Sequence, residues 1–227
     1  MSYKFEFGPV LEYWPQFLHG AWLTIQLSFA ATTLGFIVGT FCAIGRGSQN
    51  SSVRNFCKIY VEVIRNTPLL IQIFLFYFGF SSVGMQLPAW LAALATLVIN
   101  VGAYTSEIMR AGIDSIKHGQ WEAAECLGLS RAQTYWHVVL LPAAERVYPA
   151  LTSQFVLLML ATSITSQISA EELTAVANLV QSMTFRAFEA YIIVGMFYIL
   201  LSFVMRFGFW LLGKLIFPRH RKFGQSH

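Results

Sequence analysis

The sequence predicts an all-α membrane protein with five transmembrane helices and one large polar loop. Three observations carry that prediction. Of 227 residues, 56% are hydrophobic and 11% charged, whereas soluble domains carry roughly 25% charged residues. The apolar residues fall in long runs, and runs of about 20 match the hydrocarbon thickness of a bilayer. Backbone groups in lipid must be satisfied internally, so such runs are helices; a barrel would show alternating segments of about 10 residues.

The first span is placed at about 17–44. It carries Ala31, Gly35, Gly39 and Ala43 four apart, and small residues in that register let another helix approach closely. Packing within the chain is the expectation, ahead of a dimer contact. The second span is placed at about 59–80. Arg65 lies about one turn inside its boundary, where it can snorkel to the headgroups. Thr67-Pro68 then interrupts the ladder, because proline has no N–H and crowds the carbonyl four residues back. The outcome is either a kink or a helix that begins after Pro68.

The third span is placed at about 87–109. An intramembrane carboxylate marks a functional site by default, which singles out Glu107; the plainer expectation is an ion pair with Arg110 on the same face. The fourth span covers about 147–168 and the fifth about 190–217. Asn100 and Tyr104 are four apart, as are Thr162 and Ser166, and Ser163 and Gln167, so each pair would share a helix face. With Gln154 and Glu107 they are the candidate lining of a midplane path. Interhelical hydrogen bonds, worth about 0.6 kcal/mol each in a bilayer, are the plainer role.

Charge sets the expected orientation. Residues 1–16 hold Lys4 against Glu6 and Glu12, the 80–88 connection has no charge, and 169–189 holds Arg186 against Glu171, Glu172 and Glu189. The opposite face receives Arg46, Arg54, Lys58, Lys117, Arg131, Arg219, Arg221 and Lys222. The N-terminus is therefore expected outside, the C-terminus in the cytoplasm, and 110–146 as the largest cytoplasmic loop. The pI near 9.1 follows from this asymmetry, so no nucleic-acid partner is needed; membrane lipids are. No cleavable leader is expected from the first residues.

Chemistry is hard to find. Gly208 to Leu215 reads as GxxxxGK but follows no strand, and Leu215 stands where a magnesium-binding hydroxyl is required. No HExxH or GxSxG occurs. Cys42, Cys57 and Cys126 are odd in number and widely spaced, giving neither a disulfide framework nor a metal signature. The expectation is a chain with no catalytic residue, no metal and no cofactor of its own.

The loop is the exception in tone. Gly119 to Gly128, GQWEAAECLG, is charged and Ala-rich. His118 to Leu127 suits a helix, and Gly128 suits the left-handed residue that ends it. Ser130 and Gln133 fit a capping box opening a second short helix to about Leu140. Ala123 and Ala124 present little bulk beside the charge of Glu122, as suits a surface that docks into a groove.

EAA, three residues, Gly, then Leu-Pro about a dozen residues on resembles the cytoplasmic signature of the inner-membrane subunits of binding-protein-dependent ABC importers. Ile64-Arg65-Asn66-Thr67-Pro68-Leu69-Leu70-Ile71-Gln72, Gly102-Ala103-Tyr104-Thr105-Ser106-Glu107-Ile108-Met109-Arg110 and Gly119-Gln120 narrow this to the polar amino acid permeases, over roughly 17–215. The resemblance implies a bacterial inner-membrane permease of the type I importer fold. Its loop would be a coupling helix, with Gly119, Gln120, Glu122, Ala123, Ala124 and Gly128 meeting a separate ATPase subunit. ATP and magnesium would sit on that partner. A second permease subunit, identical or paralogous, would complete the path, and a periplasmic or lipid-anchored protein would deliver a polar amino acid.

Two departures stand out. Gly128 to Pro142 is fourteen positions, one more than the family uses. One residue turns a helix by about 100°, so a bulge or shifted end must absorb it. Leu160-Ala161 replaces the polar positions that relatives often carry before the Thr-Ser pair, which leans toward a paralogous partner doing more of the recognition. The rival readings are an ion-gradient-driven secondary transporter, which would want inverted repeats, and a membrane-embedded enzyme.

Overall fold

The structure, a computed structural model, describes residues 3–217. Arg219, Arg221 and Lys222, which entered the charge reading, lie outside the described residues. Every regular element among the described residues is helical. One turn, α1 (Gly8–Leu11), leads into α2 (Trp14–Gly45). Each has a proline in its first turn, where the missing N–H costs nothing because those donors have no intrahelical partner.

The second apolar run is not one helix. α3 (Ser51–Arg65) and α4 (Leu69–Ser82) meet at 108°. Pro68 disfavours a helical Thr67 and removes a ladder donor, so the new helix after Pro68 is the outcome found. α3 is amphipathic: Val53, Phe56, Ile59 and Val63 are exposed apolar residues interleaved with Arg54, Lys58 and Glu62. At 14 residues, α4 spans about 21 Å, short of the roughly 30 Å of a bilayer core. The five expected spans are therefore four long apolar helices plus this bent pair.

α5 (Ala89–Asp114) is the central helix, packed by α2, α3, α4 and, further along the chain, the helix Leu140–Ala161. α6 (His118–Cys126) forms the loop helix. From Arg131 the chain is one continuous rod to Ile168. It comprises α7 (Arg131–Thr134), a π turn at Tyr135–Val139, α8 (Leu140–Ala161) and a 3-10 segment at Thr162–Ile168. α5 runs on to Asp114 and the second loop helix does not stop near Leu140 as expected, so the link between the two long helical segments is 115–130. In the π turn Leu140 N–H reaches the Tyr135 carbonyl, five residues back. Such a turn absorbs one extra residue and supplies the bulge that the long Gly128–Pro142 spacing requires.

α9 (Leu173–Thr184) and α10 (Ala187–Ile216) complete the chain. The small-residue stripe of α2 packs inside the chain, as expected. A Cβ at Gly39 would lie 2.6 Å from the Gly102 carbonyl oxygen of α5, so the two backbones are in direct contact. One apolar core joins α2, α5 and α8 through Ala31, Leu97, Val101, Leu151 and Phe155. A second joins α2, α9 and α10 through Phe17, Leu173, Val180 and Ile193. α10 leaves Leu200, Phe203, Phe207 and Leu211 exposed, an apolar face consistent with burial on one side only.

Candidate functional site

The 115–130 connection is built to hold α6 proud of the bundle. Buried Ile116 and Ala124, 6% and 2% exposed, anchor it from below, and Trp121 packs edge-on against Tyr135 of the π turn with ring centroids 5.3 Å apart. Arg146 Nη1 donates to the Ser115 carbonyl and hydroxyl oxygens, tying α8 to the start of the loop. At its other end Gly128 N–H donates to Glu125 O (2.9 Å) and Leu129 N–H to Ala124 O (3.1 Å), the two bonds of a Schellman stop. Gly128 has φ +70°, so the left-handed glycine expected there is present. Ser130 and Gln133 exchange both capping-box bonds, also as expected.

The exposed side of α6 carries Gly119, Gln120, Glu122 and Ala123, continued by Leu127 and Gly128. Ala124 does not belong to it; the pairing of both alanines on one docking face is corrected, because only Ala123 points away from the bundle. Leu127, 78% exposed, is the apolar tip that the sequence reading passed over. Its signal was available: the residue before a Schellman glycine sits at the end of the helix, clear of its own neighbours. His118 Nδ1 lies 3.9 Å from Glu122 Oε1, both exposed. The surface is thus a small knob with Leu127 as its apolar tip, Ala123, and the carboxylates of Glu122 and Glu125.

Asn100, Tyr104 and Glu107 lie on one face of α5 and reach the α3/α4 corner. Asn100 Nδ2 donates to Gln72 Oε1 (3.0 Å), and the Arg65 guanidinium lies 5.6 Å from the centre of the Tyr104 ring. Glu107 does not pair with Arg110. Its Oε2 is 2.6 Å from Arg46 Nη1 and 3.3 Å from Arg65 Nη1, while Arg110 pairs with Asp114 at 2.9 Å. Helices that the sequence leaves apart deliver better-placed arginines than the local one.

The polar cluster of the fourth span is also rearranged. Residues 162–168 are 3-10, in which residues three apart eclipse. Thr162 therefore shares a face with Thr165, both buried, and Ser163 with Ser166. The expected pairs Thr162/Ser166 and Ser163/Gln167 are corrected on this ground. Each hydroxyl bonds the carbonyl three residues back: Thr162 to Met159 and Ser163 to Leu160 at 2.7 Å. Gln154 is half-buried and Gln167 exposed. Ser166 lines an open cleft of about 720 Å³ with Gln16, His19, Ser169, Glu171 and Asn178. Ser166 was a sequence candidate; its partners in the cleft were not legible, because the start of α2 and the segment from Ser166 to Asn178 meet only in the fold.

At this end, opposite α6, Glu172 is 2% exposed and caps α9 by accepting from Ala175 N (3.0 Å) and from the Tyr198 hydroxyl (2.6 Å). Burial pushes its carboxyl above the ordinary range, partly opposed by those donors. No cluster of metal-ligating side chains occurs among the described residues.

Residues 32–217 match the family of binding-protein-dependent transport system inner membrane components. The nopaline transport system permease protein NocM of Agrobacterium fabrum is 34% identical over 206 residues, covering 86% of each chain. The probable glutamine ABC transporter permease protein GlnM of Bacillus subtilis is 34% identical, covering 85% of this chain and 89% of that one. A crystal structure of an amino acid ABC transporter with histidines superposes with a TM-score of 0.84 at 35% identity, covering 93% of this chain and 99% of that one. The inward-facing MetNI methionine ABC transporter, at 18% identity and a TM-score of 0.75, shares the fold. Matched along nearly its whole length, the chain belongs to the binding-protein-dependent transport system inner membrane components, among the amino-acid ABC transporter permeases.

Proposed function

We propose that this chain is the membrane subunit of an ATP-driven importer of a polar amino acid or amino-acid derivative. α6 is the coupling helix, seated in a cleft of a separate ATPase subunit that binds the ATP and magnesium. The observation that carries this reading is the knob at 119–128. In a chain otherwise devoted to apolar surface, a short polar helix is braced from below by Ile116, Ala124 and Trp121 and leaves Leu127 and Ala123 uncovered. Bracing one side while leaving an apolar tip bare suits a part that transmits force to a partner.

A second permease subunit, identical or paralogous, completes the path. A periplasmic or lipid-anchored binding protein supplies the substrate at the cleft end, where the N-terminus lies outside; the loop end and the C-terminus face the cytoplasm of a bacterial inner membrane. Closure of the ATPase pair biases the permease between two arrangements, and the loaded binding protein biases it from the other side. The chain contributes no catalytic group to hydrolysis. Relatives named for nopaline and glutamine support the substrate class.

The test is uptake into vesicles holding the permease, its ATPase and its binding protein. Uptake should require ATP, and Glu122→Lys should lower it at least tenfold with normal insertion. Gly128→Pro should do the same, since proline cannot adopt φ +70°. Uptake that follows an ion gradient without ATP would overturn the reading.

A further inference from the structure

The corner between α3 and α4 is held in two unlike ways. On its inner side stands Gln72, 5% exposed. Its Nε2 donates to Ile64 O (2.8 Å), Thr67 O (3.0 Å) and Thr67 Oγ1 (2.8 Å), and its Oε1 accepts from Asn100. It replaces the ladder that Pro68 interrupts, and stranding such buried groups is costly. On the open side stands Glu107, which draws Arg46 at the end of α2 and Arg65 at the end of α3 onto α5. The side chains of Arg46, Arg65 and Glu107 are 21%, 39% and 42% exposed, and ion pairs that are only partly buried separate at smaller cost than fully buried ones. The corner therefore has a firm pivot and a releasable clasp.

The clasp lies within a few contacts of α6. Trp121 packs on Tyr135. A Cβ on Gly47, next to Arg46, would lie 3.0 Å from the Tyr135 hydroxyl oxygen and 3.1 Å from Arg110 Nη1. Tyr135 thus stands beside the turn that follows α2, one residue from Arg46, so movement of Tyr135 bears on the segment that carries Arg46. The π turn that carries Tyr135 is the less tightly wound part of the 131–168 rod, where a small rotation is easiest.

We propose that Glu107 is a positioning residue for transport: a clasp, opened when α6 moves Tyr135 against the end of α2, that sets the angle between α3 and α4 about the Gln72 pivot. Residues 100, 104 and 107 of α5 thereby serve the corner rather than the substrate. The inference rests on the coupling role given to α6 above.

The experiment uses the complete reconstituted transporter. Spin labels at Phe56 on α3 and Leu75 on α4, both exposed, report the corner after Cys42, Cys57 and Cys126 are replaced by Ala. The label distance should differ between nucleotide-free and ATP-bound states, and Glu107→Gln should abolish that difference. The same variant should lose uptake at least tenfold while ATPase turnover stays within twofold, and Glu107→Asp should recover uptake to within threefold of wild type. An unchanged distance in the wild type, normal uptake in Glu107→Gln, no recovery in Glu107→Asp, or proportional loss of uptake and ATPase turnover each overturns the proposal. A wild-type complex with no ATP-driven uptake sinks the functional reading itself, and the clasp with it.

Discussion

At the cleft end, Glu189 is fully buried and accepts hydrogen bonds from the Tyr3 hydroxyl (2.6 Å) and Glu6 N (3.0 Å), with Arg186 at 3.7 Å. At the loop end, Glu107 holds two arginines with 42% of its side chain exposed. The first arrangement straps residues 3–6 over the start of α10; the second joins three helices that could part. Buried charge is costly to strand and so fixes structure, whereas exposed charge is cheap to separate and suits a part that moves. The cleft end is thus fastened and the loop end clasped.

Glu172 carries the largest effect expected at the fastened end. Replacing it with Ala strands the α9 cap donor and should cost about 1–3 kcal/mol, read as a lower thermal midpoint of the purified protein in detergent. A loss no larger than that of Glu107→Gln would erase the distinction between the ends. Burial raises the folded pKa of Glu172, so its protonated form is favoured by folding. That contribution is present in full below the unfolded value and is lost as pH rises through the folded one. Glu172→Gln cannot ionise, so its thermal midpoint should gain on the wild type as pH rises from about 4.3 to the raised folded value and stay level above it.

Glu107→Gln should cost below about 1 kcal/mol in the same melt, despite its large expected effect on uptake. The smallest effect belongs to Phe185, which ends α9 in the left-handed region at φ 56° and is 89% exposed. Asparagine tolerates that conformation better than a bulky residue. Phe185→Asn should therefore hold or raise the midpoint by the equivalent of about 1 kcal/mol or less; a fall would mean that the ring contributes contacts beyond its own strained turn.

What was legible in the sequence was local. Apolar runs located the long helices, and Gly128 and Ser130 marked a stop and a start because both motifs close within six residues. The Gly39 stripe read correctly because close approach leaves a compositional trace. The 108° corner did not, since Thr67-Pro68 announces a break but not its angle; Gln72, far from obvious in an apolar run, fixes it through Ile64, Thr67 and Asn100. The 3-10 segment was missed by assuming the commoner helix, although hydroxyls three apart at 162/165 and 163/166 were a usable sign. Ala124 turned inward because Ile116 and Trp121 fix how α6 lies on the bundle, and that is a tertiary fact.

On the proposed function, α6 faces the cytoplasm and is covered there by an ATPase. Cys126, exposed on α6, reports both halves directly. In a Cys42→Ala, Cys57→Ala background, a membrane-impermeant maleimide should label inside-out vesicles and not right-side-out ones, and prior assembly with the ATPase subunit should slow labelling at least tenfold. Labelling from the outer side, or at an unchanged rate in the assembled complex, would contradict the account.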